Sequence, residues 1–201
     1  MSKAVDKRSG KRGLTPISRC GWARNPLAIR YHDREWGVPV RNDRKLFEFL
    51  ILEGAQAGLS WDTILAKREN YRKAFDGFDP KRISRYNRSK KQRLLRNPGI
   101  VRNRLKIDSA VVNAKAFLAL QEEFGSAARY FWSYTGGQPL RRRPASPRGV
   151  PARTDVSDAL SKDLKKRGFK FVGSTIMYAF MQAVGMADDH VQACFRCKAR
   201  R

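Results

Sequence analysis

The sequence predicts an all-α fold, and three observations carry that expectation. No segment alternates apolar and polar residues at the period of a strand. Several stretches instead repeat apolar residues at helical spacing, and cap or stop residues bracket those stretches. No internal repeat is present. At 201 residues and 41% hydrophobic content, the chain is long enough to bury a sizeable core as one domain. That domain is expected over residues 19–196, between a basic, disordered arm (1–18) and a basic tail (197–201).

Taken in order, Arg19-Cys20-Gly21-Trp22 opens the ordered part and Tyr31-His32-Asp33-Arg34-Glu35-Trp36-Gly37 follows. Asn42 or Asp43 is placed to cap a helix in which Leu46, Phe49, Leu50 and Glu53 share one stripe. Gly54-Ala55-Gln56-Ala57-Gly58 reads as a glycine-flanked turn, with Ser60-Trp61 as the cap and start of a second helix reaching Glu69. Asp79-Pro80 starts a third helix, and Asn97-Pro98-Gly99 is a turn. Ile107, Ala110, Val111, Ala114, Phe117 and Leu118 form a clean helical stripe, and Tyr130-Phe131-Trp132 a short core helix. Gly136 to Arg153, interrupted by glycine and proline and rich in arginine, is the one long loop. Ser157 to Arg167 is helical with Gly168 at its C-terminal stop. Gly173-Ser174-Thr175 begins the next helix, whose Ile176, Met177, Phe180, Met181 and Val184 mark a buried face before Gly185 ends it.

Lys plus Arg number 43 against 18 Asp plus Glu, a net charge of +25 and a sequence pI near 10.8. Such a balance points to a polyanion, nucleic acid first and an acidic membrane surface second. From Lys81 to Lys106 every charged residue is basic, a one-sided run that favours phosphate contact over an ordinary solvated face. No apolar run is long enough for a transmembrane helix, and the basic N-terminus lacks the apolar core of a secretory signal. Three cysteines in such a chain argue against a disulfide framework.

Three groups of residues could carry chemistry. Glu53 places a carboxylate on an apolar stripe, which is costly unless donors or a cation meet it. It is either a structural acid tied to backbone amides or a group that awaits a ligand. The two histidines each sit near a cysteine, Cys20 with His32 and His190 with Cys194. The spacing of His190 and Cys194 would put both on one face of a helix, and the four together would form a closed Cys₂His₂ zinc site fastening the chain ends. The alternative is two unrelated core cysteines with surface histidines. Cys197 is a substitute ligand, a redox partner of Cys194 or a spare thiol near the terminus. Finally, Gly168-Phe169-Lys170-Phe171-Val172-Gly173 joins two helices as a tight hairpin. Its amides and the start of the following helix could meet a phosphate, with Lys165, Lys166, Arg167 and Lys170 adding charge. The bland alternative is an ordinary corner between helices.

The segments RCGW, YHDREWGVP, LEGAQAGLSW, KRENYRKAF, NPGIVRNRLKI, SDALSKDLKKRGFKFVGSTIMYAFMQA and DDHVQAC occur in order from Cys20 to Cys194. Jointly they resemble the bacterial 3-methyladenine DNA glycosylase I (Tag) family, over nearly all the chain except its tails and the arginine-rich loop. That resemblance implies a two-lobed helix-hairpin-helix glycosylase fold with the pocket between the lobes. It implies one structural zinc held by Cys20, His32, His190 and Cys194, and double-stranded DNA with alkylated bases as the partner. It also implies a monomer in a bacterial cytoplasm. The family's base pocket maps onto Glu53, the carboxylate that reads the extruded base, walled by Trp22, Tyr31 and Trp61; Glu53 is also the candidate catalytic residue, through recognition of the base rather than as a general base. Gln56, Gly58 and Leu59 map onto the turn that wedges into the duplex, and Gly168, Lys170 and Gly173 onto the phosphate-binding hairpin.

Two departures are visible. Ala28 stands where many members carry an aromatic residue, which would thin one pocket wall. Phe171 stands where the superfamily's hairpin usually has its first glycine, and Asp188 and Asp189 fall too early to match the superfamily's catalytic aspartate. The implied activity is excision of 3-methyladenine by hydrolysis of its N-glycosidic bond. A non-enzymatic, zinc-stabilised nucleic-acid-binding module is the competing reading of the charge and the ligand quartet.

Overall fold

The computed structural model describes residues 17–198, so all but the last two residues of the expected N-terminal arm, and most of the basic tail, lie outside the described residues. The chain is mostly helical: α1 Pro26–Arg34, α2 Asp43–Gln56, α3 Trp61–Ala74, α4 Pro80–Ile83, α5 Arg88–Arg96, α6 Arg104–Phe124, α7 Ala127–Ser133, α8 Asp155–Lys166, α9 Ser174–Ala183 and α10 Phe195–Lys198. Helices α1 to α8 each begin on an Asn, Ser, Asp or Thr whose side chain accepts from an amide two or three residues on. Each such bond satisfies a donor that the first turn leaves without an intrahelical partner.

Helix α2 is the centre. Every residue from Leu46 to Ala55 is buried, because α3, α6, α7 and α9 all pack against it. An aromatic relay ties these layers together, with ring centroids 4.9 Å apart for Phe47–Phe117, 6.4 Å for Phe117–Phe131 and 5.0 Å for Phe131–Phe180. Trp132 completes the layer by donating its indole N–H to the Val40 carbonyl at 2.8 Å.

Several expectations need correction. Helix α2 runs on through Gly54 to Gln56, and the turn begins only at Ala57. Gly54 is a point of close approach: a Cβ there would lie 3.2 Å from Phe171 Cβ on the α8–α9 hairpin. Helices α1 and α5 were not anticipated, and α3 extends past Glu69 to Ala74. The Gly136–Arg153 loop contributes a two-residue strand β1, Leu140–Arg141, which pairs in parallel with β2, Ala187–Asp188. The all-α expectation therefore holds apart from this small bridge. No helix spans His190 to Cys194: those residues form a turn, and α10 starts at Phe195.

The hairpin from α8 to α9 is tightly specified. Gly168 takes φ +88°, and the amides of Gly168 and Phe169 return to the carbonyls of Lys165 and Leu164, a Schellman stop. Phe171 keeps a left-handed φ of +56° although it is not glycine. The surroundings hold it there: Asn113 on α6 bonds both the Lys170 amide (2.8 Å) and its carbonyl (2.9 Å), and Ser161 Oγ donates to the Val172 carbonyl at 2.6 Å.

Candidate active site and metal cluster

A cavity of about 430 Å³ opens beside the C-terminal half of α2. Glu53 reaches it from α2, Tyr31 from α1, Trp61 from the first position of α3 and Trp22 from the segment before α1. The four residues expected to form one pocket are thus brought together. Tyr31 and Trp61 lie 5.4 Å apart between ring centroids, and Trp22 and Tyr31 6.1 Å. Trp22 is the outermost wall, with 38% of its surface exposed. Ala28 is fully buried and does not line the cavity.

Glu53 is 4% exposed and forms no hydrogen bond or ion pair among the described residues. Burial pushes its carboxyl up to about 8. Burial and the neighbouring Glu53 charge likewise raise the Tyr31 hydroxyl well above its ordinary value. The Trp61 indole N–H is also buried without an acceptor. A desolvated acid, an unpaired donor and aromatic walls together suit a flat, polar-edged, positively charged ligand.

One turn and a half earlier on the same helix, Glu48 is just as buried but fully engaged. Arg68 Nε and Arg72 Nη2 reach its Oε1 at 2.7 and 2.6 Å, and Lys45 approaches Oε2 at 3.5 Å. Burial alone would raise the Glu48 carboxyl, but Arg68, Lys45 and Arg72 hold it below its ordinary range.

The structure adds residues to the site that sequence reasoning missed. Trp36 packs edge-on to Trp22 at 5.2 Å, and Gln182 and Asp189 line the inner wall. Asp189 Oδ2 accepts from the Tyr178 hydroxyl and from Gln182 Nε2 (2.8 Å), while Oδ1 is buried without a partner. Pro147 and Val150 of the arginine-rich loop also reach the cavity. Trp36 and Asp189 lie inside segments that carry the family resemblance; Pro147 and Val150 left no signal.

Below the cavity mouth, the turn after α2 places Gly58 at φ +76° and leaves Leu59 41% exposed. Gln56, the last residue of α2 before this turn, lines the cavity. Lys106 Nζ donates to the carbonyls of Ala55 and Ala57, both at 2.7 Å, so α6 holds the end of α2 in place. Partial burial lowers the Lys106 ammonium from its ordinary value.

At the hairpin, Lys165, Lys166 and Lys170 are exposed, and Gly173 precedes α9 without any side-chain cap on its first amides. Arg167 is different. Its guanidinium is bound to Glu123 (2.6 Å) and Asp163 (2.8 Å), so it serves the fold rather than a phosphate. The basic run is similarly thinned, since Lys90 pairs with Asp76, Lys91 with Asp108, and Lys106 with carbonyls.

A second cluster lies where the chain ends meet. One donor atom each of Cys20, His32 and Cys194 falls within 4.8 Å of the others, all three residues buried. His32 Nδ1 bonds Asp33 Oδ1 at 2.8 Å, and Asp33 is in turn held by Arg19. That leaves His32 Nε2 facing Cys194 Sγ at 3.5 Å. His190 stands outside the trio, its ring centroid 5.1 Å from that of His32. Its Nδ1 is fixed to Asp188 Oδ1 at 2.7 Å and its Nε2 is buried with no partner. Two imidazoles, each oriented by a carboxylate, beside two thiols are a donor set that fits a tetrahedral metal. Cys197 is buried in the adjoining apolar cluster, outside the trio.

Fold and cavity together define an α-helical protein with an aromatic-walled acid pocket and a Cys/His cluster joining its ends. The comparisons make this specific: residues 22–197 match the methyladenine glycosylase family, and the chain belongs to that family. The DNA-3-methyladenine glycosylase 1 of Escherichia coli (strain K12) is 48% identical over 179 residues, spanning 89% of this chain and 96% of its own. A crystal structure of 3-methyladenine DNA glycosylase I (TAG) superposes with a TM-score of 0.86 at 53% identity, covering 89% of this chain and 98% of the other. The Staphylococcus aureus 3-methyladenine DNA glycosylase I, solved to explain 3-methyladenine recognition, gives a TM-score of 0.86 at 35% identity, covering 89% and 96% of the two chains.

Proposed function

We propose that this chain is a DNA repair N-glycosylase that extrudes 3-methyladenine from alkylated duplex DNA and hydrolyses its glycosidic bond, leaving an abasic site. The observation that carries this reading is Glu53, buried and without a protein partner in a cavity walled by Trp22, Tyr31 and Trp61. Family membership and the 3-methyladenine glycosylases among its relatives support it.

An adenine methylated at N3 is a delocalised cation that departs as a neutral base, so its glycosidic bond needs little acid assistance. Extrusion, selection and a placed water are what the protein must supply. Flipping requires a few kcal/mol, least for a damaged or poorly stacked base. Leu59 and Gln56 offset it by entering the vacated space. Within the cavity, the aromatic faces each contribute roughly 0.5–2 kcal/mol to a desolvated cation. With its carboxyl raised to about 8, Glu53 is mostly protonated at neutral pH while the cavity is dry. A cationic ring beside it favours the carboxylate, which then accepts from the amino edge and balances the charge. Neutral adenine brings no such charge and leaves the acid protonated. As the base departs, the same carboxylate and the flanking DNA phosphates face an oxocarbenium-like sugar.

Outside the cavity, the Lys170 ammonium and the uncapped first amides of α9, after Gly173, meet the duplex phosphates, in a helix-hairpin-helix arrangement. Cys20, His32, His190 and Cys194 would hold one structural zinc, which would supply folding free energy by tying together the segments before α1 and after α9. The enzyme works as a monomer of two helical lobes in a bacterial cytoplasm.

Incubation with methylated DNA tests the reading: free 3-methyladenine should appear over multiple turnovers, and metal analysis should find one zinc per chain. A binding module without catalysis would release no base. Removing the zinc should lower thermal stability more than it lowers the activity of the protein that remains folded.

A further inference from the structure

We infer that the Gly136–Arg153 loop is a phosphate-binding rim of the cavity, gripping through Arg141, Arg142 and Arg148 the strand that carries the extruded nucleotide. This rests on the reading of the cavity as a base pocket. Pro147 and Val150 line the cavity, so the loop forms part of its wall. Its frame is fixed rather than loose. Leu140 and Arg141 pair with Ala187 and Asp188, and Asp189, the next residue, lines the cavity. Further along, the Gln192 amide donates to the Pro144 carbonyl at 3.0 Å and Gln192 Nε2 to that of Arg143 at 3.2 Å. At the loop's start, Arg41 donates to the Gly137 carbonyl at 2.6 Å.

Three of the cations on this frame have no acidic partner among the described residues. No acid occurs between Gly136 and Arg153. Arg153 faces Asp158, but Arg141, Arg142 and Arg148 are exposed and pair with no carboxylate among the described residues. Arg68, Arg72, Lys90, Lys91 and Arg167 show the alternative, a cation engaged by an acid of the fold. Like charges crowded on one short, pinned loop repel one another unless a polyanion meets them. A nucleotide seated in the cavity must carry its own flanking phosphates past the mouth. Guanidinium forks suit phosphate oxygens bidentately. Such contacts set the strand's register without reading its sequence.

The test is the salt dependence of binding to a lesion-free duplex, together with binding of free 3-methyladenine. In the triple variant Arg141→Gln, Arg142→Gln, Arg148→Gln, the slope of log K against log salt should become shallower by about 2 to 3, near 0.9 per lost phosphate contact. Free-base binding should be unchanged. Lys73→Gln, an exposed charge on α3 outside the cavity lining, is the control and should barely move the slope. An unaltered slope in the triple variant, a per-charge effect equal to that of Lys73→Gln, or a loss of free-base binding would each overturn the rim. A wild-type protein that binds no duplex would instead overturn the functional reading itself.

Discussion

Glu48 and Glu53 lie five residues apart on α2, 5% and 4% exposed, and they have opposite fates. Glu48 is surrounded by Arg68, Arg72 and Lys45 and stays ionised, joining α2 to α3 and, through Arg68 and Glu35, to α1. Glu53 has only aromatic rings and a cavity, and its carboxyl rises to about 8. Burial therefore does not by itself separate an acid built into the fold from one left open to a ligand. The missing partner does, because only an unsatisfied carboxylate has affinity left for a ligand.

The largest effect should come from exchanging the two acids for amides in turn. Glu53→Gln should lower excision of 3-methyladenine by about 10²–10³-fold, as loss of one preorganised electrostatic group does, while leaving thermal stability intact or raised. Glu48→Gln should do the reverse, destabilising the fold by about 3 kcal/mol because Arg68 and Arg72 lose a buried partner. Denaturant unfolding and single-turnover excision on both variants check this; equal losses of activity would erase the distinction.

The next effect is on pH. The Glu53 carboxyl rises from an ordinary 4.5 to about 8 on folding, so the folded protein binds this proton more tightly than the unfolded chain. The resulting stability is fully present below about 4.5 and gone once pH passes about 8. Across that window wild type should lose up to about 1.4 kcal/mol per pH unit relative to Glu53→Gln. Parallel stability curves for the two proteins would mean that Glu53 titrates normally.

A smaller effect should come from Lys106→Met, which frees the carbonyls of Ala55 and Ala57. About 1.5–3 kcal/mol of charge-assisted hydrogen bonding is lost at the turn that carries Leu59. Excision from duplex DNA should fall more than excision from single strands, where no wedge is required. Equal losses on both substrates would place Lys106 outside the wedge.

Much of this was legible in the residues. The apolar stripes of α2, α6 and α9 have unambiguous helical spacing, and Glu53 declared itself as an acid on such a stripe. Glu48 did not, since its cations arrive from α3, and pairings between elements leave no periodic trace. Helices α1 and α5 are harder to see because each is only 9 residues long, too short for a repeated stripe, although Asn25-Pro26 and Asn87 carry start signals. Gly54 was misread as a turn because a glycine required for close packing looks, in sequence, like one required for a bend. The His190–Cys194 spacing suggested a helix, yet a turn brings those residues to His32 just as well. The contribution of Pro147 and Val150 to the cavity follows from the β1–β2 bridge, far too short to be seen in advance.

Helix α6 holds the Leu59 turn through Lys106 and the hairpin through Asn113. Those two residues are seven positions apart, on one face and about 10 Å along the axis. A single rigid rod thus acts as a caliper, its span setting how far Leu59 stands from the α8–α9 hairpin. If the turn and the hairpin meet DNA as proposed, lesion search would become a matter of gauge: both jaws would close together only where the duplex yields at that fixed offset.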